Sequence, residues 1–290
     1  MSHDKKTKDI RKQGLDKFYT NDNIVDLCID SLNKIVYINT FDLIIEPSAG
    51  NGSFLFKLPE DKRIGLDISP DNNLILKQDF FEYQPQSENL KDNILVIGNP
   101  PFGKVSSLAI KFFNHASKFA NVIAFIIPRT FRKTSVQNRL NLNFHLIHDE
   151  DIPMNPCSFT PPMMVKCCFQ IWERKIEKRS IVKLPTEHPH WKFLSYGPKD
   201  ENNQPTPPKG ADFALRAYGG KCGDIVTENL ENLRPKSWHW IKCNIDKNKL
   251  IDKFKQLDYT NSLNTARQNS IGRAELVLLY SDFLFTNFEL

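Results

Sequence analysis

The segment LIIEPSAGNGSF, residues 43–54, carries the clearest information about the fold. A run of Leu and Ile gives way abruptly to small residues and then to a helix-compatible stretch. Gly50 and Gly52 permit a tight turn that brings the backbone close to a ligand, as glycine does where a strand feeds a helix at the carboxyl edge of a parallel sheet. The stretch therefore predicts a binding loop after the first strand of an α/β sheet.

Short runs rich in Ile, Val, Leu and Phe recur beyond this loop, separated by polar, helix-compatible stretches. Their alternation with crossovers predicts a mostly parallel sheet that is buried on both faces. The last two runs are joined by a proline-rich loop without room for a crossover helix, which predicts an antiparallel hairpin closing the sheet. The seven predicted strands are residues 43–45, 63–66, 74–76, 94–97, 122–127, 142–147 and 165–172.

Composition divides the chain into three segments. Residues 1–16 form a basic head, which is either a solvated tail or an arm over phosphates. Residues 17–183 hold the predicted sheet, with a helix beginning near Asp22. Prolines, lysines and well-spaced aromatic residues then dominate, and they predict a smaller module over residues 184–290.

The overall charge permits a polyanionic partner without requiring one, since the net charge is +5 and the isoelectric point is near 8.8. No apolar run approaches the roughly 20 residues of a membrane span, and the N-terminus lacks the apolar stretch of a signal peptide. Six scattered cysteines without a CxxC pair indicate free thiols and no metal site. We expect a cytoplasmic protein; the oligomeric state stays open.

Three acidic residues follow successive predicted strands. Glu46 ends the first strand, and Asp67 lies at the end of the second, where an acid accepts hydrogen bonds from ribose hydroxyls. Asp79 ends the third region, where its carboxylate could take an adenine amino group and the ring of Phe80 could stack on the base. Solvent-facing turn acids would explain any one of these residues, but not three in register. Since GxGxxG is missing, an adenosine cofactor without phosphates fits better than a dinucleotide.

The fourth strand runs directly into NPPF, residues 99–102. The side-chain oxygen of Asn99 and the carbonyl of Pro100 can accept both N–H bonds of a planar amine, which favours a shift of that nitrogen towards tetrahedral geometry. Pro101 stiffens the corner, because consecutive prolines fix φ. Phe102 supplies a face for a base swung out of its stack. The pattern predicts transfer of a group to an exocyclic amine.

In order and spacing, these motifs resemble those of the class I, Rossmann-like amino-methyltransferases, within them the adenine-N6 branch. KFYT at residues 17–20 looks like the N-terminal cofactor motif of that family, EPSAGNG its motif I and NPPF its catalytic motif IV. The resemblance covers about residues 17–173. It implies a seven-stranded Rossmann-like sheet and S-adenosyl-L-methionine as cofactor. The residues it places around that cofactor are Tyr19, Thr20, Glu46, Pro47, Gly50, Gly52, Asp67, Ile68, Asp79, Phe80 and Asn99.

The motif order is similar to the gamma arrangement of DNA adenine methyltransferases, which favours DNA as the partner. NPPF-type motifs also look like those of enzymes that methylate guanine N2 in RNA or the side-chain amide of protein glutamine, because each substrate presents a planar NH2 group. RNA adenine-N6 methylation and a non-catalytic, nucleic-acid-binding subunit are further alternatives.

The C-terminal module interleaves aromatic rings with cations, a combination that holds nucleic acid by stacking and by charge. A small β-rich core with basic edges is the alternative for each ring. Arginines flanking the last predicted helix suit either a phosphate or a plain capped helix. The candidate nucleic-acid contacts are Lys104, Arg216, Tyr218, Lys221, Trp238, Arg267 and Arg273.

Overall fold

The computed structural model describes residues 17–86 and 93–288. The basic segment predicted over residues 1–16 lies outside the described residues. The chain divides into two compact units. The first contains the described residues up to Arg132 together with Val136–Ile181, and the second contains Lys133–Ser135 and the described residues from Val182 onward.

The elements up to Arg174 build a seven-stranded sheet and its cover. Their bounds in chain order are β1 (Tyr19–Thr20), α1 (Asp22–Ile35), β2 (Leu43–Glu46), β3 (Arg63–Asp67), β4 (Leu76–Lys77), β5 (Ile94–Gly98), α2 (Ser107–Ala116), β6 (Val122–Pro128), α3 (Thr134–Gln137), β7 (Phe144–Asp151), β8 (Phe159–Thr160) and β9 (Cys167–Arg174).

The strand order of the large sheet is β4-β3-β2-β5-β6-β9-β7. Neighbouring strands from β4 to β6 are parallel, whereas β9 runs antiparallel to both β6 and β7. Every residue of β5 and β6 is buried, as expected for central strands covered on both faces. The predicted fold class, a mostly parallel α/β sheet of seven strands closed by an antiparallel hairpin, is confirmed.

Both edge strands differ from their predicted bounds. The third strand is only Leu76–Lys77, and Leu74 and Leu76 are exposed, so its apolar run does not mark a buried strand. At the other edge, β7 continues through the acidic residues to Asp151. Arg132 pairs there with Asp149 and, at 2.8 Å, with Asp151, so ion pairs stabilise a strand end that hydrophobic patterning does not mark.

The second unit contains four strands, β10 (Trp191–Phe193), β11 (Phe213–Arg216), β12 (Ile225–Val226) and β13 (Trp238–Cys243). They form an antiparallel sheet in the order β10-β13-β11-β12. One apolar cluster includes Phe213, Phe254 and Tyr280, and another includes Trp238 and Trp240. Buried rings therefore form the core of this unit. Its helices are α4 (Lys247–Lys255) and α5 (Arg273–Phe288).

A buried histidine makes the stability of the second unit depend on pH. His239 Nε2 lies 2.8 Å from the carbonyl oxygen of Ile271, and burial lowers the pKa of His239 to about 4. The unfolded chain takes up this proton near pH 6.5, so folding free energy is lost as the pH falls from there to about 4. At pH 5 we expect a loss of about 2 kcal/mol from this group.

Thermal unfolding of the full chain at pH 7 and pH 5 measures that loss. His239→Gln keeps a donor for the Ile271 carbonyl but does not titrate in this range, so its unfolding should depend less on pH by the same amount. An unchanged pH dependence in this variant would contradict the assignment.

In the ranges 17–86 and 93–288, no helix has both the length and the apolar character needed to cross a membrane. All six cysteines are free. Within the same ranges, no group of three or more His, Cys, Asp or Glu side chains is arranged to hold a metal ion.

Candidate functional site

Three loops meet at the carboxyl ends of the parallel strands, which lie together along one edge of the large sheet. The glycine loop (residues 47–53) follows β2, the acidic loop (residues 68–71) follows β3, and NPPF follows β5. Since β2 lies between β3 and β5, the predicted cofactor residues and the predicted catalytic corner occupy neighbouring positions along this edge.

Asp67 organises the glycine loop and the acidic loop. One of its carboxylate oxygens accepts a hydrogen bond from the backbone N–H of Gly50 at 2.9 Å, and the other accepts from Ser69 N at 2.8 Å. Gly50 has a φ of +54°, a conformation that glycine adopts without a Cβ penalty. A carboxylate oxygen can accept more than one hydrogen bond, so Asp67 retains capacity for ribose hydroxyls.

Glu46 stabilises the end of the glycine loop through a buried hydrogen bond. It is 3 % exposed, and its Oε2 accepts a hydrogen bond from the Leu55 backbone N–H at 2.7 Å. Burial raises the pKa of this carboxyl well above its usual value. Glu46 therefore fixes the turn that ends the glycine loop. Pro47 and Gly52 of this loop are also buried. Contact of these three residues with a cofactor stays a prediction.

The KFYT segment is fastened over the glycine loop by three side chains, Lys17, Tyr19 and Asp71, which we call the Asp71 latch. The Tyr19 ring packs on Gly50, where a Cβ would lie only 2.9 Å from the ring. The Tyr19 hydroxyl donates to Asp71, and Lys17 Nζ lies 2.8 Å from the same carboxylate. Although desolvation opposes it, hydrogen bonding by Lys17 and Tyr19 lowers the pKa of Asp71, and burial raises that of Tyr19.

We expect Asp71→Ala to weaken binding of S-adenosyl-L-methionine about tenfold, because the side chains that cover the glycine loop lose their common anchor. Isothermal titration calorimetry measures the change. Asp26, on α1, forms a comparable exposed ion pair with Lys57, and Asp26→Ala serves as the control. Equal affinities of wild type and Asp71→Ala would show that the latch has no part in binding.

The NPPF corner touches both neighbouring segments. Ser48 Oγ of the glycine loop donates to the Asn99 carbonyl oxygen at 3.2 Å, and Asn99 Nδ2 lies 3.5 Å from the carbonyl oxygen of Phe18. With its NH2 group turned towards Phe18, the amide presents Oδ1 on the other side. Pro100 is buried, and Phe102 packs partly against the core. The corner is thus held between the KFYT segment and the glycine loop.

One hydroxyl in β1 is buried without a hydrogen-bond partner among the described residues. Thr20 is 5 % exposed, and its Oγ1 has no hydrogen-bond partner among the described residues. A buried hydroxyl without a partner is costly. Contact of Tyr19 and Thr20 with a cofactor stays a prediction.

The prediction for Phe80 is wrong in its stacking role. Phe80 is 1 % exposed and packs on Phe112 at a centroid distance of 5.3 Å, so neither face is open to a base. The neighbouring Phe81 is 37 % exposed, because the short turn at Phe80–Glu82 directs successive side chains to different sides. Asp79 is exposed, although one of its oxygens accepts from Phe81 N at 2.9 Å, and Ile68 is 53 % exposed. Contacts of Asp79 and Ile68 with a cofactor stay predictions.

In the second unit, one predicted stacking residue is also wrong. Trp238 is 7 % exposed, and the guanidinium of Arg216 covers its ring at 5.1 Å, so no base can stack there. Of the two alternatives for the N-terminus of α5, a phosphate site and a plain capped helix, the structure has the capped helix, since the Gly272 N–H donates to Glu275 at 2.6 Å. Arg273 lies over the Phe193 ring.

Three other candidate nucleic-acid contacts lie on two loops that are paired through their backbones. The backbone of Tyr218 pairs with that of Ser270, and Gly219 N donates to Asn269 O at 2.9 Å, which aligns residues 217–219 with residues 269–271. Tyr218, Lys221 and Arg267 are exposed on these two loops. Lys104 of the first unit is exposed on the loop after NPPF.

Sequence reasoning missed Ser48, Asp71 and Phe81. Lys17 and Asp71 are 54 residues apart in the chain, so no local pattern connects them. For Phe81, the sequence shows two adjacent phenylalanines but does not indicate which of the two rings is buried.

No family model matches the chain, and no curated protein matches it. Among solved structures, it is similar to a protein of Pyrococcus horikoshii provisionally assigned as an RNA methyltransferase, with 15% identity over 56% of this chain and 88% of that one and a TM-score of 0.41. A provisionally assigned class I S-adenosylmethionine-dependent methyltransferase of Listeria monocytogenes has 17% identity over 58% of this chain and 63% of that one, with a TM-score of 0.41.

The 23S rRNA methyltransferase ErmE has 14% identity over 51% of this chain and 69% of that one, with a TM-score of 0.37. The sheet of the present protein, mostly parallel and seven-stranded with one reversed strand, gives it a Rossmann-like α/β fold.

Proposed function

We propose that the protein is an S-adenosyl-L-methionine-dependent methyltransferase that methylates the N6 amine of adenine in nucleic acid, with DNA as the favoured substrate. The observation that supports this most directly is the position of Asn99. Its backbone carbonyl oxygen accepts a hydrogen bond from Ser48 of the glycine loop, and its side-chain NH2 group lies beside the carbonyl oxygen of Phe18 in the KFYT segment. The acceptor corner and the candidate cofactor loop are therefore adjacent.

The chain supplies a site for each part of this cofactor. Tyr19 and Gly50 provide a covered loop, Asp67 provides acceptors for ribose hydroxyls, and Thr20 provides a hydroxyl for the methionine moiety. Asp79 is an acceptor for an adenine amino group. When bound, the cofactor supplies an electrophilic methyl group on a sulfonium.

Asn99 and Pro100 act on the substrate amine. Their oxygens accept its two N–H bonds and orient its lone pair in line with the reacting carbon. The proton of the amine becomes acidic as the new bond forms, so no strong general base is needed. Phe102 offers a ring to the extruded base.

The paired loops of the second unit are the proposed nucleic-acid surface. Lys221 and Arg267 contribute exposed charges for phosphates, and Tyr218 contributes an exposed ring for stacking. Arg216 and Arg273 add positive charge, although their guanidinium groups are partly engaged by Trp238 and Phe193.

The test is incubation of the protein with isotopically labelled S-adenosyl-L-methionine and separate DNA, RNA and peptide pools, followed by mass spectrometry of the nucleosides and amino acids. Labelled N6-methyladenine in the DNA pool is the expected result. N6-methyladenine in RNA alone, N2-methylguanine, or methylated glutamine in a peptide pool would each replace the proposed substrate. Calorimetry on the folded chain tests the cofactor separately, and no uptake would overturn the whole proposal.

A further inference from the structure

The loop that follows NPPF carries an exposed valine in an unfavourable backbone conformation. Val105 has φ 53° and ψ 40°, and its side chain is 76% exposed. In the described ranges, four non-glycine residues have positive φ, and two of these are asparagines, which tolerate it. Val105 and its neighbour Ser106 are the other two. A β-branched residue in this region is strained, and exposure leaves it no packing energy in return.

The surrounding structure holds this conformation firmly. Ser106 is 3% exposed, and its hydroxyl lies 2.7 Å from that of Thr130, the second residue after the end of β6. On the other side, the Phe102 carbonyl accepts hydrogen bonds from Leu108 N at 3.2 Å and from Ala109 N at 3.3 Å. Both ends of the turn are fixed by hydrogen bonds. The backbone therefore holds the exposed Val105 side chain in place, three residues after the NPPF corner.

Strained residues persist only where their surroundings hold them, and they cluster at functional sites. We propose that Val105 is the apolar wedge that fills the space an adenine leaves when it turns out of a base-paired stack towards Asn99. This inference rests on the proposed function. Its physical reason is that extruding a base costs stacking energy, which an apolar side chain inserted at the gap partly restores. The exposed Lys104 beside it places a positive charge where the strand's phosphates would pass.

The variant that tests the wedge is Val105→Asn. Asparagine tolerates the left-handed conformation, so the Tm should equal or exceed that of the wild type, which separates the wedge from a folding defect. The matched control is Ile176→Asn, which changes a fully exposed β-branched residue just beyond β9. Ile176 lies at the end of the sheet where the parallel strands begin, opposite to the end that carries NPPF, because the end of β9 pairs with the start of β6.

Activity is measured on a DNA duplex with a paired target adenine and on the same duplex with an abasic site opposite that adenine. We expect kcat/KM of Val105→Asn to fall about tenfold on the paired target, the scale of losing burial of a side chain this size. On the unpaired target it should stay within about twofold of the wild type, because little extrusion work remains. Ile176→Asn should match the wild type on both.

Equal activity of Val105→Asn and wild type on the paired target, or equal losses on both targets, would overturn the wedge. A second readout does not depend on turnover: binding to a DNA duplex with 2-aminopurine at the target position should increase its fluorescence with wild type and less with Val105→Asn. If the increase were smaller with Val105→Asn than with wild type but wild type formed no N6-methyladenine, the proposed function would fail while the wedge stood. No increase with wild type would overturn the wedge.

Discussion

Asn99→Ala is expected to lower the rate of methyl transfer by about 100-fold to 1,000-fold, the loss typical of one hydrogen-bonding group that acts in the transition state. The amide oxygen accepts an N–H of the substrate amine more strongly as that nitrogen becomes tetrahedral. Its removal therefore lowers kcat rather than substrate affinity. The Kd of S-adenosyl-L-methionine should stay nearly unchanged, since β1 remains paired with β8 and the glycine loop keeps its bonds to Asp67.

Asn93→Ala is a matched control, because Asn93 directly precedes β5 as Asn99 directly follows it. The Asn93 side chain also donates to a backbone carbonyl, that of Thr40 at 3.2 Å, but at the opposite edge of the sheet. Single-turnover rates and calorimetric Kd values of the three proteins separate chemistry from binding. Wild-type rates in Asn99→Ala would refute its catalytic role, and a loss confined to Kd would make it a cofactor residue only.

The central strands could be predicted from sequence because they are buried on both faces. Continuous apolar runs mark β5 and β6, and the predicted bounds lie within one residue of the observed ones. The edge strands could not be predicted as well. β4 has exposed side chains, and the end of β7 depends on ion pairs between Arg132 and its acids, which hydrophobic patterning does not detect.

The site shows the same division between local and long-range information. The order of strand ends placed Asp67, the glycine loop and NPPF at one edge, because parallel strands present their carboxyl ends together. The inward turn of Phe80 depends on the geometry of one short turn. Burial of Trp238 depends on a small sheet whose strands are distant in sequence, so the aromatic pattern alone was compatible with a stacking surface as well as with a core.

The second large effect is expected for Asp67→Ala, which should raise the Kd of S-adenosyl-L-methionine by about 100-fold or more. The carboxylate accepts from Gly50 N at 2.9 Å and from Ser69 N at 2.8 Å, so one substitution removes the acceptor of both loops. A hydrogen bond to a charged group contributes about 1.5–3 kcal/mol, and 100-fold in Kd corresponds to about 2.7 kcal/mol. Any bonds to ribose hydroxyls are lost as well.

Calorimetry on Asp67→Ala, Asp67→Asn and Asp42→Ala gives the comparison. Asn has only one carboxyl-type oxygen and serves one of the two backbone donors, so an intermediate loss of about tenfold is expected. Asp42 likewise accepts a backbone N–H, that of Asn93 at 2.9 Å, but it lies where β2 begins, away from the glycine loop. Its replacement should leave Kd unchanged. Similar Kd values for Asp67→Ala and wild type would mean that the glycine loop keeps its shape without this carboxylate and that the cofactor does not use it.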